Sequence, residues 1–349
     1  MLSCVEYIWL DGAKPTNKLR SKTRILELAE NHQAQADDFP EWGFDGSSTY
    51  QAPGDKSDLV LKPSRVVMDP IRGPGHYLLL CEVFNISGQP VESNTRALLR
   101  EQISKCPKNL DTWIGFEQEY TLFSDHRPLG WPATGFPEPQ GPFYCGVGSD
   151  RVFGREIVEE HMALCLEAGL LLFGINAEVM PGQWEFQIGY RGLADEEVDP
   201  LTCCDHLWIG RWLLHRVAEK YGVVASFDNK PVKGDWNGAG NHTNFSTAAM
   251  RSSKTGWDAI NKVIDVLKDR HELHINNYGA NLAERLTGHH ETCDIKTFRA
   301  GSNDRGASIR IPNNVATQKC GYLEDRRPGA NSDPYVVSAL LLEALRLAS

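Results

Sequence analysis

Apolar and polar residues alternate strictly along residues 184–188. In a β-strand, Trp184, Phe186 and Ile188 would point to one side, and Glu185 and Gln187 to the other. This pattern predicts a strand with one buried face and one face that carries a carboxylate. A solvated sheet edge has the same pattern, so this segment alone does not assign a function.

Four further segments repeat the alternation. In residues 112–123, Glu117 and Glu119 share one face with Trp113, opposite the apolar side chains Ile114, Phe116, Tyr120 and Leu122. Two carboxylates on one face repel each other unless a cation lies between them. The other three segments present His242, Asn244 and Ser246; Arg310; and Tyr322, Glu324 and Arg326. If the five polar faces converge, they line a sheet or barrel cavity; otherwise they form the solvated side of a sheet.

The first hundred residues are predicted to form a small β-rich unit. Residues 5–10 and 77–84 have the pattern of strands, and residues 21–29 that of a short strand or helix. Residues 41–58 are predicted to form a long functional loop, because their aromatic side chains argue against disorder. A helix is predicted for residues 94–106.

The length of 349 residues exceeds the size at which one hydrophobic core stops growing, so two domains are expected. We place the boundary in residues 107–111, which gives domains at residues 1–107 and 108–349. Helical spacing in the second domain predicts helices at residues 151–168, 201–221, 256–274 and 334–348. His161 is expected to lie in the core or on a helix surface rather than to bind a ligand.

Composition and charge exclude several classes of protein. The chain is 41% hydrophobic and 23% charged, as in ordinary globular proteins, and it lacks an apolar run long enough to span a membrane. A formal net charge of −10 gives no general attraction for nucleic acid. The N-terminus has no basic region before an apolar one, so the cytoplasm is the predicted location. Nine scattered cysteines without a C-x-x-C pair are expected to be reduced thiols.

The predicted polar faces are rich in hard oxygen ligands. Such ligands suit Mg²⁺ or Mn²⁺ and argue against a thiolate-rich zinc or iron–sulfur site. Metals held by carboxylates beside arginines are typical of phosphoryl transfer, because the charge on the moving phosphoryl group must be neutralised. The sequence has no G-x-x-x-x-G-K-[ST] motif, so a P-loop is not the means. If the polar faces converge, the residues brought together would be Glu117, Glu119, Glu178, Glu185, Glu324, His242, Arg310 and Arg326.

Seven motifs follow one another along the chain: FDGSST (44–49), GFEQEY (115–120), NAEVMPGQWEFQ (176–187), NGAGNHTNFS (237–246), RLTGHHET (285–292), RGASIRIP (305–312) and GYLEDRRPGAN (321–331). As an ordered set they resemble the motifs of the glutamine synthetase family, in the short-chain class II form that is typical of eukaryotes and also found in bacteria. The resemblance covers nearly the whole chain.

This resemblance implies an α+β fold. A small N-terminal β-grasp-like domain would precede a larger C-terminal catalytic domain with a curved antiparallel sheet flanked by helices. The implied reaction is ATP-dependent ligation of ammonia to L-glutamate through a γ-glutamyl phosphate, with ATP as co-substrate and two to three Mg²⁺ or Mn²⁺ ions per active site. The implied assembly is a homo-oligomer, two stacked pentameric rings with active sites between adjacent subunits.

The resemblance also implies roles for individual residues. The implied metal ligands are Glu117, Glu119, Glu178, Glu185, His242 and Glu324. The implied ATP-binding residues are Trp113, Gln187, Asn244, Ser246, Arg251, Arg305, Arg310 and Tyr322. The implied glutamate-binding residues are Trp236, Asn237, Gly238, Arg285, Arg305 and Arg326.

Ammonium would be bound and deprotonated by a carboxylate, because the cation has no lone pair with which to attack. In the family this role belongs to the position of Asp45, with Ser48 and Asp58 nearby, and the loop would act on a neighbouring subunit. Glu291 would close a flap over the reactive intermediate and help to bind ammonium. The implied catalytic residues are Asp45, Glu291 and Arg305.

Two other functions stay open. A relative that joins glutamate to a different amine would differ in the ammonium pocket, and the presence of Asp45, Ser48 and Glu291 favours ammonium. A non-catalytic scaffold that keeps the fold would have no need of five inward carboxylates. Two features depart from the family: Glu284 stands where a second basic residue is expected, and the adenylylated tyrosine loop of the long bacterial form has no counterpart.

Overall fold

The computed structural model describes residues 1–28 and 34–349 and contains two β-sheets. The strands of the first sheet are β1 (Leu2–Leu10), β2 (Leu19–Glu27), β3 (Trp42–Asp45), β4 (Asp58–Met68) and β5 (Tyr77–Asn85). Within the described residues their order is β2-β1-β5-β4-β3. Strands β1 and β5 are parallel, and the other pairs are antiparallel.

Both faces of the first sheet are buried at its centre. Tyr7 and Leu79 point into the small domain's own core. Ile8 and Leu80, on the opposite face of the same two strands, belong to the core of the larger domain. A strand that is buried on both faces has a continuous apolar run instead of an alternation, which accounts for the three successive leucines of β5.

The strands predicted for residues 5–10 and 77–84 are confirmed as parts of β1 and β5. Residues 21–29 contribute to the strand β2 rather than to a helix, and Ala29 lies outside the described residues.

The prediction of one loop over residues 41–58 is wrong at its start, where β3 pairs antiparallel with β4. Aromatic packing is the reason. The ring centroid of Trp42 lies 5.3 Å from that of Tyr7, and the centroid of Phe44 lies 4.9 Å from that of Trp9.

The second sheet is built around its longest strand. Its members are β6 (Trp113–Ser124), β7 (Arg127–Pro128), β8 (Leu172–Ala177), β9 (Gln183–Ile188), β10 (Val224–Ser226), β11 (Asn241–Ser246), β12 (Ala300–Ser302), β13 (Ile309–Ile311) and β14 (Leu323–Asp325). In the described part of the chain the order is β12-β13-β14-β11-β6-β9-β8, and β7 and β10 also pair with β6. Strands β12 and β13 are parallel, in contrast to the otherwise antiparallel sheet.

The helices are α1 (Thr95–Lys105), α2 (Arg155–Glu167), α3 (Pro200–Tyr221), α4 (Ala248–Arg251), α5 (Gly256–Asp269), α6 (His271–Ile275), α7 (Leu282–Arg285), α8 (Asn313–Gln318) and α9 (Pro334–Ala348). Helices α2 and α3 pack against strands of the second sheet. The helix predicted for residues 256–274 is divided in two, because Arg270 leaves the helical region at φ −103° and ψ 12°. His161 is buried in α2, as predicted, and its Nε2 lies 2.9 Å from the carbonyl oxygen of Gly210 on α3.

A buried charge cluster joins the two domains. Asp205 on α3 is fully buried and accepts hydrogen bonds from Arg65 of β4, Arg96 of α1 and the Tyr335 hydroxyl of α9. Arg96 also donates to the buried Glu82 of β5, at 3.0 Å. Helix α1 lies before the predicted domain boundary at residue 107, yet it packs on α9, which lies after that boundary. That boundary stays a prediction.

Two expectations from composition concern membranes and cysteines. Among the described residues, no helix combines the length and the apolar character needed to cross a membrane. All nine cysteines are free thiols.

Candidate active site

The polar face of the second sheet lines a cavity of about 500 Å³. Side chains from β6, β9, β11 and β13 meet there, so these polar faces converge instead of forming the solvated side of a sheet. They are joined by residues from the loops that precede α2 and follow α7. The lining includes Glu117, Glu119, Tyr144, Asn176, Glu178, Glu185, Gln187, Asn237, Gly238, His242, Arg285, His290, Glu291, Arg305, Arg310 and Arg326.

Strand register brings the carboxylates together. Glu117 lies opposite His242 on β11, and Glu119 lies opposite Glu185 on β9. The ligand atoms of Glu117, His242 and Glu324 all lie within 4.8 Å of one another, and so do those of Glu119, Glu185 and His242. His242 belongs to both groups, so two metal sites would be adjacent.

Burial and mutual repulsion dominate the electrostatics of this cluster. Burial, followed by the charges of Glu117, Glu119 and Glu178, raises the pKa of Glu185 well above its ordinary value. Burial lowers the pKa of His242 well below its ordinary value, and the nearby Arg326 adds to this effect. Neutral imidazole is the form that binds metal. Closely spaced carboxylates with a neutral histidine therefore fit a hard divalent cation.

Glu178 reaches the cavity from a tight turn between β8 and β9. Its backbone N–H donates to the carbonyl oxygen of Gln183, and Asn176 Nδ2 donates to its carboxylate at 2.9 Å. Gly182 in this turn has φ +76°, and a Cβ there would lie 2.8 Å from the backbone of Leu129. The turn therefore requires glycine, and it allows two successive segments to present carboxylates to one cavity. Burial and the charge of Glu119 raise the pKa of Glu178 to about 8.

Metal affinity is expected to fall as the pH is lowered from about 8.5 to about 6.5. Because the raised pKa keeps Glu178 protonated below about pH 8 in the metal-free protein, a cation must displace that proton, at a cost of up to about tenfold in affinity per pH unit. Mn²⁺ titration by electron paramagnetic resonance across this range would measure the slope. Glu178→Gln cannot titrate and should give a shallower slope; equal slopes would contradict the prediction.

Arginines neutralise one end of the cluster. Arg310 and Arg326 both form ion pairs with Glu324, at 2.6 and 2.5 Å. Arg285 is buried and donates to His242 Nε2 at 2.9 Å. A Cβ at Gly240 would lie 2.4 Å from the Arg285 guanidinium and 2.9 Å from His242 Nε2, so a larger residue here would displace one of these two side chains.

A second, more apolar cavity of about 360 Å³ adjoins the first and shares Glu117 with it. Five of the residues predicted to bind ATP line it: Trp113, Asn244, Ser246, Arg251 and Tyr322. The other three, Gln187, Arg305 and Arg310, line the main cavity.

Sequence reasoning missed Phe173 and Tyr190 of the second cavity. The ring centroid of Tyr190 lies 4.8 Å from that of Trp113, and the Arg251 guanidinium lies 4.2 Å from the centroid of the same Trp113 ring. Both missed side chains are large apolar groups that remain substantially exposed. Phe173 lies at the start of β8, and Tyr190 follows the end of β9. Aromatic residues at strand ends were the signal that could have identified them.

Most of the residues predicted to bind glutamate line the main cavity: Asn237, Gly238, Arg285, Arg305 and Arg326. Trp236 does not. Its buried ring instead packs on Trp131, at a centroid distance of 4.8 Å.

The segment predicted to act as a flap, residues 287–292, contributes His290, Glu291 and Thr292 to the wall of the main cavity. His290 and Glu291 have φ values of +53° and +58°. Each such non-glycine residue costs about 1–3 kcal/mol, so surrounding contacts must hold the segment in this conformation. One of these contacts is the Glu291 carboxylate, which lies 4.0 Å from Arg326.

Of the predicted ammonium residues, Glu291 lines the main cavity, whereas Asp45, Ser48 and Asp58 lie outside it. Asp45 and Ser48 are exposed at the end of β3, and Asp58 is exposed at the start of β4, where it lies opposite Asp45. The Ser47 and Ser48 hydroxyls donate to the Asp45 carboxylate at 2.6 Å each and lower its pKa to about 2. Within the described residues of one chain, this loop and the metal-ligand cluster are thus separate.

Family models match nearly the whole chain. One described as "Glutamine synthetase, beta-Grasp domain" matches residues 1–86, and one described as "Glutamine synthetase, catalytic domain" matches residues 92–347. These matches confirm the predicted fold, a β-grasp domain followed by a larger catalytic domain.

Several relatives are similar over almost their full length. Glutamine synthetase of Streptomyces hygroscopicus is 54% identical over 341 residues, which cover 97% of this chain and 95% of that protein. The chloroplastic glutamine synthetase of Chlamydomonas reinhardtii is 52% identical over 350 residues, with coverages of 97% and 90%. The Homo sapiens glutamine synthetase is 49% identical over 346 residues, with coverages of 98% and 89%. The chain therefore belongs to the glutamine synthetase family and is an ATP-dependent ligase that makes glutamine.

Proposed function

We propose that this chain makes glutamine in two steps within the main cavity. The convergence of carboxylates and arginines around His242 is the observation that carries the proposal. A carboxylate is a poor acyl donor, because oxide is a poor leaving group. In the first step, a γ-carboxylate oxygen of glutamate attacks the γ-phosphorus of ATP, which gives γ-glutamyl phosphate and ADP. In the second, ammonia attacks the acyl carbon, and phosphate leaves.

Divalent cations would be held by six side chains. Two to three Mg²⁺ or Mn²⁺ ions suit the donor set, because carboxylate oxygens predominate and the imidazole is neutral. When bound, the ions would neutralise charge on the phosphoryl oxygens. The proposed ligands are Glu117, Glu119, Glu178, Glu185, His242 and Glu324.

ATP would span the two cavities. Trp113, Phe173 and Tyr190 form an apolar wall that suits a purine base, and the shared residue Glu117 leads from this wall toward the metal ligands. Arg310 would reach the phosphoryl oxygens. The remaining proposed ATP contacts are Gln187, Asn244, Ser246, Arg251, Arg305 and Tyr322.

Glutamate would lie beside the metal ligands. Arginines suit its carboxylates because the guanidinium group can donate two parallel hydrogen bonds. Arg305 would also stabilise the transferred phosphoryl group, as a catalytic residue. The proposed glutamate contacts are Trp236, Asn237, Gly238, Arg285, Arg305 and Arg326.

Ammonium would be bound between two subunits. Asp45 stays charged at neutral pH because of its low pKa, which favours binding of a cation. It would act as a base only after the Ser47 and Ser48 hydroxyls turn away from it. Because Asp45, Ser48 and Asp58 lie apart from the chain's own cavity, we propose that they serve a neighbouring copy, in a homo-oligomer of two stacked pentameric rings. Glu291 of the flap would complete the ammonium site.

The proposed location is the cytoplasm. Nine free cysteines support a reducing compartment.

Phosphate release should depend on the amine that is supplied. With ATP, Mg²⁺ and glutamate, ammonium should support a rate at least about tenfold above methylamine or a polyamine, because a pocket built for a small cation excludes added carbon atoms. A coupled phosphate assay, with glutamine measured by chromatography, would test this. Equal rates with the bulkier amines would overturn ammonium as the acceptor.

A further inference from the structure

Gln140, in the loop between β7 and α2, contacts two other loops at once. Its Oε1 accepts the backbone N–H of Asn237 at 2.7 Å, and its Nε2 donates to Asn237 Oδ1 at 2.6 Å. The same Nε2 lies 3.2 Å from His290 Nδ1 in the flap. The Gln140 amide group therefore contacts both the flap and residues 235–237, the loop that carries the proposed glutamate contact Asn237 (the glutamate loop).

The loop that carries Gln140 is itself fixed to the metal-ligand turn. The N–H of Gly141 donates to the carbonyl oxygen of Val179, and the N–H of Cys145 donates to that of Ala177, each at 3.0 Å. These two acceptors flank Glu178, a proposed metal ligand. The backbone that follows Gln140 is thus hydrogen-bonded to the turn that carries Glu178 in the cavity wall.

His290 is held from its other side as well. Its Nε2 lies 3.0 Å from the carboxylate of Asp235, which is in the same loop as Asn237. If Nε2 carries the proton, Nδ1 is free to accept from Gln140. The contacts of His290 with Asp235 and with Gln140 are therefore both compatible with the Nε2–H tautomer. Together they connect the flap, whose backbone is left-handed at His290, to residues 235–237.

We propose that Gln140 is a positioning residue that holds the glutamate loop and the flap in register, so that the flap closes only over a correctly placed substrate. The inference rests on the proposed function for the roles of Asn237 and the flap. Gln140 is not among the residues that line the cavity, unlike its neighbour Gly141. It acts through Asn237 and His290 rather than on the substrate.

If the glutamate loop and the flap lose this fixed relative position, water should reach the acyl phosphate. Water would then attack in place of ammonia, the acyl–oxygen bond would break, and glutamate and phosphate would be released. The net reaction would be hydrolysis of ATP without amide formation. The ratio of phosphate released to glutamine formed therefore reports the closure of the flap.

Gln140→Leu removes all three contacts at similar side-chain size. We expect the KM for glutamate to rise about tenfold, the KM for ATP to change by less than about twofold, and the phosphate-to-glutamine ratio to rise from about one to above about two. Gln140→Glu keeps an acceptor for the Asn237 N–H but has no donor for His290, so it should raise the ratio too. Gln102→Leu, a partly buried glutamine on α1, is the matched control and should match the parent chain.

Steady-state assays of both products in the assembled enzyme would decide between the outcomes. A ratio that stays at one in both Gln140 variants would overturn the inference, as would equal losses for glutamate and ATP with a lowered Tm. Glu291→Ala separates this inference from the proposed function. If Glu291→Ala raises the ratio and the Gln140 variants do not, only the role of Gln140 fails; if Glu291→Ala leaves the ratio at one, the proposed role of the flap fails.

Discussion

Glutamine synthesis is expected to fall by about a thousandfold or more when Glu185 is replaced by alanine. Glu185 is 5% exposed, and its carboxylate belongs to the group of three possible metal ligands that also contains Glu119 and His242. Loss of metal stabilisation of the phosphoryl charge is worth several kcal/mol, and each 1.36 kcal/mol is about tenfold in rate. Mn²⁺ titration and glutamine assays on the same preparation would show whether metal affinity and rate fall together.

Two variants make this test specific. Glu185→Gln keeps the size of the side chain and removes its charge, so it should also lose metal affinity. Glu101→Ala removes an exposed glutamate of α1 that pairs with Lys105, and it should leave both measurements unchanged. An unaltered metal titration in Glu185→Ala would remove this residue from the ligand set.

Asp45→Ala is expected to lower glutamine formation by about a hundredfold or more while leaving metal-dependent ATP binding intact. The size follows from the loss of a general base, which typically contributes 10²–10⁴-fold. Asp45 lies on the first sheet, away from the metal ligands, so nucleotide binding should not change. Asp55→Ala in the same loop is the matched control. Unimpaired glutamine synthesis by Asp45→Ala would exclude the proposed role.

Co-expression of Asp45→Ala with Glu185→Ala tests whether the site is shared between chains. Each variant alone should be inactive. In mixed assemblies, a Glu185→Ala chain can lend its Asp45 to the intact cavity of an Asp45→Ala neighbour, so about a quarter of the sites should recover. If one chain supplied its whole site, activity would stay at the sum of the two variants.

The period of two along a strand made the cavity predictable. The position of each residue along β6, β9 and β11 determines the side on which its side chain lies, and burial of the apolar side leaves the polar side chains together on the other. Register was not available from the pattern, yet Glu117 opposite His242 and Glu119 opposite Glu185 are what form the two ligand groups. The motif resemblance supplied the metal-ligand role of Glu178, which does not lie on a strand.

Contacts between residues far apart in sequence could not be predicted. No local pattern places Gln140 beside Asn237 and His290, because three separate loops meet there. Strand β3 was missed because its aromatic residues pack on β1 rather than on a neighbour in sequence. In the proposed oligomer, the position of Asp45 relative to a neighbour's cavity would depend on assembly, which one chain's alternation does not encode.

The buried cluster around Asp205 has a consequence for the inheritance of the two domains. Arg65 and Arg96 both lie before residue 107, whereas Asp205 and Tyr335 follow it. A recombination event that exchanged only one side would leave a charge buried without its partner, at a penalty of several kcal/mol. The two regions therefore have to be inherited together, or exchanged only between homologues that carry matching charges. Gene fusion or domain shuffling at this junction should accordingly be selected against.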